Sequence, residues 1–139
     1  ADSKTKLITD YKATTANIHD SEMLEELLDK KEDSGQSVYA DSAYRSEALE
    51  EVCRIKNIES QIHEKGYRNK SLTKGQQKSN KKKSKIRARV EHIFGFMTNT
   101  MNEMCLPYRN FIRNQTGIGL MNLTYNLFRL VQLNIELKR

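Results

Sequence analysis

Asp41 and Glu91 are the residues of this chain whose type and setting could do chemistry. Asp41 lies within Val38-Tyr39-Ala40-Asp41-Ser42-Ala43-Tyr44, and Glu91 lies fifty residues later within Lys85-Ile86-Arg87-Ala88-Arg89-Val90-Glu91-His92-Ile93-Phe94. The first stretch reads as a short buried strand that ends on a carboxylate. The second reads as an amphipathic helix with a carboxylate beside its apolar stripe. Two carboxylates can share a hard cation such as Mg²⁺, which prefers carboxylate and water oxygens. Such a cation beside a basic segment suits metal-dependent chemistry on phosphodiesters.

The basic segment is explicit. Eleven of the 24 Lys and Arg fall within residues 65–89, a stretch that holds none of the 18 Asp and Glu. The remainder of the chain therefore carries more acid than base, although the net charge is +6. A mildly acidic domain with one strongly basic segment favours a polyanion bound at one place. Lys81, Lys82, Lys83, Lys85, Arg87 and Arg89 precede Glu91 and are the candidate phosphate contacts. The plainer expectation for the Lys81-Lys82-Lys83 run is a solvated loop.

Composition sets the frame. At 139 residues, 37% hydrophobic and 30% charged, the chain has enough for one domain with a real core and too little for two. No apolar run approaches the ~20 residues that span a bilayer. The opening Ala-Asp-Ser-Lys-Thr-Lys has no secretory apolar region, so a cytoplasmic place and no membrane partner are expected. Cys53 and Cys105 have no CxxC spacing and read as reduced structural thiols. His19, His63 and His92 lack metal spacing with either Cys and read as structural or surface residues.

The elements that must position the carboxylates follow from periodicity. Residues 6–16 are rich in β-branched and aromatic types and read as one or two strands. Capping residues at 17–21 precede a helix carried by Met23, Leu24, Leu27 and Leu28 to about Lys31. Residues 32–36 form a turn, and 37–40 form a strand too short to be anything but central and buried. Ser46 caps a helix to Ile55, and residues 58–62 form another strand. Strand, helix, strand, helix, strand implies an α/β layer with parallel pairing. The basic segment over 65–85 has no period and little apolar content up to Lys83, so it reads as a mobile loop. Order returns at Ser84, where Ile86, Val90, Ile93, Met97 and Met101 share one helix face and Phe94 widens it. Pro107 breaks that pattern. A final helix over 116–137 is apolar on most sides and reads as a core or packing helix.

Asp41 thus stands at the C-terminal end of a strand, where open α/β sheets place their sites. At ~100° per residue, Glu91 sits at the edge of its stripe just past Phe94, with Arg87 one turn before and Thr98 two turns after. Simpler roles exist for each residue alone. Asp41 could cap the next helix, and Glu91 could pair with Arg87 for roughly a few tenths of a kcal/mol. Tyr44 and Tyr67 could stack on a base, with packing as the simpler role.

Val-Tyr-Ala-Asp-Ser-Ala-Tyr followed by Arg-x-x-x-Glu on a helix resembles the DDE transposases of bacterial insertion sequences, in particular the group that includes insertion sequences four and five. His19-Asp20-Ser21 ahead of its Leu-rich helix, and Glu64-Lys65-Gly66-Tyr67-Arg68, are similar to the same group. The resemblance covers residues 3–133. It implies a partial ribonuclease-H-like α/β core, of the retroviral-integrase type, with additional C-terminal helices. It also implies three acidic residues that bind two metal ions, Mg²⁺ or Mn²⁺, and cut and rejoin DNA strands at transposon ends. Asp41 matches the second acid and Glu91 the third. The six basic residues named above then become DNA contacts. Double-stranded DNA, a second copy of the chain and the upstream part of the same transposase become the implied partners.

Two departures qualify the match. The family signature has Tyr three residues before the Arg and Lys seven after the Glu; here Ser84 and Thr98 stand there. Asp2, Asp10 and Asp20 precede Asp41, but none has the context of a first catalytic strand. The expectation is a C-terminal part or truncated copy with an incomplete triad. The alternative is a non-catalytic DNA-binding module whose whole function is the basic segment 65–89. An RNA-binding role fits the charge but leaves the paired carboxylates unused.

Overall fold

The computed structural model describes residues 1–15, 17–28, 31–101, 106 and 109–138, with backbone only at 20 and 21. Cys105 and Pro107 lie outside the described residues. The chain divides into two compact units, Ala16–Arg87 and the pair of segments Ala1–Thr15 and Ala88–Arg139.

In the unit Ala16–Arg87, helix α1 spans Asp20–Leu27, strand β1 Ser37–Val38, helix α2 Glu47–Ile55 and strand β2 Glu59–Ser60. The strands pair in parallel with Ser37 opposite Glu59 and Val38 opposite Ser60. Hydrogen bonding continues beyond those two rungs. Glu59 N donates to Gln36 O at 2.8 Å, Gln61 N to Val38 O at 2.8 Å and His63 N to Ala40 O at 3.1 Å. The ladder therefore ends just before Asp41. Parallel pairing with an intervening helix was legible from the element order. The central position was not: among the described residues the sheet has two strands, so β1 has one neighbour.

Helix α2 obeys its expected cap, whereas α1 follows His19 with no side-chain cap bond. The Ser46 side chain accepts from Leu49 N at 3.2 Å, as the sequence predicts. At the far end of α2, Ile58 N donates to Cys53 O and Asn57 adopts φ +55°, the left-handed residue of a Schellman-type stop. Lys56 Nζ donates to Glu25 O and Leu28 O, which satisfies carbonyls at the end of α1. That helix ends at Leu27, short of the expected Lys31. Leu28, Leu49, Cys53, Ile58 and Ile62 form the buried core, with Leu24, Val38, Ala40 and Tyr44 packed against it. Burial pushes the Cys53 thiol above its ordinary pKa, which suits an inert structural thiol.

The basic segment corrects the reading of a mobile loop over 65–85. Helix α3 spans Lys74–Thr100, so most of the lysines are helical. Thr73 and Gln76 explain the start. Gln76 N donates to Thr73 Oγ1, and Thr73 N donates to Gln76 Oε1. This reciprocal capping box satisfies backbone donors that would otherwise lack partners. Lys and Gln are also good helix formers once a start exists. Residues 61–73 remain without helix, with one antiparallel bridge between Tyr67 and Lys70.

In the other unit, the expected strands at 6–16 are absent among the described residues. Residues 5–8 are instead tied to helix α4, which spans Phe111–Glu136. Asn126 accepts from Ile8 N and donates to Ile8 O, both at 2.9 Å. Arg129 Nε donates to Thr5 O at 2.8 Å. Side chains of α4 take the hydrogen bonds that a neighbouring strand would have taken. The core here is Ile93, Met97 and Tyr125, with Ile8, Phe96 and Met101 against it. Phe94 does not widen that stripe; it is 53% exposed. Helix α4 contributes Tyr125 to that core, while its Leu120, Leu123, Leu127, Phe128 and Val131 are exposed among the described residues. No helix among the described residues is long and apolar enough to cross a membrane.

Candidate active site and nucleic-acid interface

Asp41 follows the last rung of the ladder and opens a single 3-10 turn at Ser42–Tyr44. Tyr44 N donates to Asp41 O at 3.0 Å, which closes the turn through the backbone. The Asp41 side chain makes no full cap bond to that turn, although the nearby Ser42 and Ala43 amides still favour its charged form. It is left to bind sideways. Ser42 Oγ donates to Asp41 Oδ1 at 3.2 Å, and Arg87 Nη1 lies 3.0 Å from Asp41 Oδ2. The carboxylate is 46% exposed and the arginine 29%.

The parallel register brings a third residue to this point. Ser37 opposite Glu59, continued at the same offset, sets Asp41 beside His63. His63 is 8% exposed and is the buried polar residue among those described. Its Nδ1 lies 3.2 Å from Arg87 Nη1, and its Nε2 lies 3.2 Å from Ser84 Oγ. Ser84 Oγ donates to Asn80 O at 2.9 Å. Asp41, Arg87, His63 and Ser84 therefore form one chain of contacts.

The Asp41 carboxyl is held below its ordinary pKa. Partial burial is the largest influence and raises it. The Ser42 hydroxyl and amide, the Arg87 guanidinium and the Ala43 amide together outweigh that burial. Asp41 is accordingly an ionised carboxylate near neutral pH, held by donors on one side and open to solvent on the other.

Helix α3 presents two faces. Asn80, Lys83, Ser84 and Arg87 face the segment that follows β2. Lys83 Nζ donates to Ile62 O at 2.9 Å and lies 4.0 Å from Glu64 Oε1, with its side chain 13% exposed. Of the predicted phosphate contacts, Lys83 is thus engaged within the protein. Lys74, Lys78, Lys81, Lys82, Lys85 and Arg89 are exposed and recur at three- and four-residue spacing. On a helix that spacing makes one continuous basic stripe. Arg89 also donates to Ser3 O. Glu91 is exposed one turn after Arg87 on the same helix.

The family model described as Transposase DDE domain matches residues 1–127. The chain belongs to the DDE transposase family. A transposase for insertion sequence element IS1106 from Neisseria meningitidis serogroup B is 30% identical over 116 residues. That match takes in 84% of this chain and 40% of the relative, so the chain spans about two-fifths of that transposase's length. No solved structure matches the chain.

Family membership directs attention to metal ions. Asp41 fits that chemistry in kind: it is ionised, partly exposed and an oxygen donor of the sort Mg²⁺ prefers. It does not fit in number. Among the described residues no group of three or more His, Cys, Asp or Glu side chains could hold a metal ion.

Sequence reading singled out Asp41, Glu91, Arg87 and the lysines, took His63 as a structural or surface residue and Ser84 as a departure from the family signature, and did not single out Asn80. The signal for Asn80, Ser84 and Arg87 was their four- and three-residue spacing, once α3 is extended back to Lys74. The signal for His63 was the strand register, which no single stretch of sequence displays.

Proposed function

We propose that this chain carries part of the catalytic domain of an insertion-sequence transposase that cleaves and transfers DNA strands at transposon ends. In this reading Asp41 and Glu91 are the second and third acids of the family triad. The fold is the ribonuclease-H-like core in part, with β1 and β2 as two of its parallel strands. Mg²⁺ or Mn²⁺, held by carboxylates including these two, would supply Lewis acidity and orient the attacking oxygen. The exposed residues Lys81, Lys82, Lys85 and Arg89 would contact the phosphates of double-stranded DNA. Lys83 would hold α3 in place. The upstream part of the transposase and a second copy are the expected protein partners.

The observation that carries this reading is the Arg87–Asp41 pair, met in a chain that belongs to the DDE transposase family. A buried or helix-capping role would not need the carboxylate turned toward an arginine on another element. The test is strand cleavage by the full-length transposase on DNA carrying its transposon ends in Mg²⁺. Asp41→Asn and Glu91→Gln should each reduce cleavage to background while end binding persists. Cleavage that survives both substitutions would overturn the reading.

The continuous basic stripe supports a second reading, a DNA-binding module without catalysis. It expects binding that needs no metal, is lost on neutralising Lys81, Lys82 and Lys85, and is indifferent to Glu91→Gln.

A further inference from the structure

We propose that His63, held in turn by Ser84, is a positioning residue that fixes the Arg87 guanidinium on the Asp41 carboxylate. The hydrogen count leads to it. A guanidinium has donors only, so the ring nitrogen facing Arg87 must be an acceptor. His63 Nδ1 therefore carries no proton, and the ring proton sits on Nε2. From there it is donated to Ser84 Oγ, whose own proton goes to Asn80 O. One neutral tautomer satisfies every contact in the chain.

Arg87 Nη1 has two hydrogens. That nitrogen lies 3.0 Å from Asp41 Oδ2, as an ion pair, and 3.2 Å from His63 Nδ1. A partly exposed Arg–Asp pair held at one point gains little and exchanges partners readily. The second anchor removes that freedom, and the anchor is itself rigid. His63 is 8% exposed, so water does not replace its nitrogen. Its backbone N–H is bonded to Ala40 O, the residue before Asp41. The arginine is thus referred to the same strand end that carries the carboxylate. Any catalytic meaning of this arrangement rests on the reading of Asp41 as a family acid; the positioning itself does not.

The experiment follows the Asp41 carboxyl titration by ¹³C NMR in the full chain. Arg87→Gln sets the reference and should move the midpoint upward. His63→Leu should move it upward too, by no more than that reference. His63→Gln, whose longer amide reaches the Nε2 position and keeps a partner for Ser84, should behave like His63→Leu. His63→Asn, whose amide sits near Nδ1 and can still accept from Arg87, should stay with the wild type. An unmoved midpoint in folded His63→Leu, or His63→Asn shifted as far as His63→Leu, overturns the proposal. Should His63→Leu fail to fold, Ser84→Ala removes only the Nε2 partner. It is then expected to give a smaller upward shift, and none would overturn the proposal. Full-length Asp41→Asn that still cleaves DNA would defeat the proposed function and leave this titration untouched.

Discussion

Asn80 closes on both backbone groups of Glu64. Its Oδ1 accepts from Glu64 N at 2.9 Å and its Nδ2 donates to Glu64 O at 3.0 Å. The amide acts as a one-residue strand for Glu64, which follows the last rung of the ladder at His63. Together with Lys83 on Ile62 O, it fixes the rotation of α3 against residues 62–64. Two turns later, that rotation delivers Arg87 to Asp41.

Asn80→Ala should therefore destabilise the chain by about 1–3 kcal/mol, because it leaves two backbone groups without partners. Asn80→Asp keeps the acceptor but sets a carboxylate against a carbonyl, so it should not restore the loss. Urea unfolding midpoints at neutral pH check both. An Asn80→Ala midpoint equal to wild type would mean that Glu64 is satisfied by water and the clamp is incidental.

Lys83 and its neighbours should part company in DNA binding. Neutralising Lys81, Lys82 and Lys85 to Gln should lower affinity for any duplex and reduce the salt slope by about 1 for each phosphate no longer neutralised. Lys83→Gln should leave the slope nearly unchanged and instead lower stability, since its ammonium serves Ile62 O. Binding isotherms at several salt concentrations separate the two effects. A Lys83→Gln slope that falls as far as that of the exposed lysines would assign Lys83 to DNA after all.

These contrasts mark what was legible in the sequence. Ser46 as a cap, the α2 helix and the parallel pairing of β1 with β2 followed from local chemistry and element order. The helical start at Lys74 was also written locally, in Thr73-x-x-Gln76, but the density of lysine hid it. His63 and the strapping of residues 5–8 by α4 were not written locally. Each depends on partners about twenty to 120 residues away, and no periodicity reports such distances. Asp41 was visible because a strand end and a turn surround it. The arginine that holds it was visible as a basic residue one turn before Glu91, not as the partner of Asp41.

Acid should weaken the Asp41 contacts with a defined sign. Its folded-state pKa lies below the ordinary 3.8, because the Ser42 and Ala43 donors and Arg87 together outweigh the opposing effect of burial. The unfolded chain thus binds that proton more readily than the folded one. The stabilisation is fully present above the ordinary value and is lost as pH falls through the folded value. Asp41→Asn should flatten that part of the pH–stability curve and leave the region above about pH 5 parallel to wild type. Thermal midpoints from about pH 6 to pH 2.5 give the comparison. Curves that stay parallel throughout would show the carboxylate to be unpaired in solution.

Tyr125 tests the other unit, where a hydroxyl and an amide perform similar tasks at different cost. The Tyr125 hydroxyl donates to Lys6 O at 3.0 Å, and its ring meets Phe96 edge-on at 5.6 Å. Tyr125→Phe keeps the ring and leaves one partly exposed carbonyl that water can reach, so about 0.5–1.5 kcal/mol is expected. Asn126→Ala leaves both the N–H and the C=O of Ile8 without partners. It should cost more, about 1–3 kcal/mol. Tyr125→Leu removes ring packing as well as the hydroxyl and should cost more than Tyr125→Phe by at least the ~0.5–1.5 kcal/mol of the aromatic pair. Equilibrium denaturation of the three variants ranks them. If Asn126→Ala were milder than Tyr125→Phe, the N-terminal segment would be held by the Tyr125 contact rather than by the two-point amide clamp.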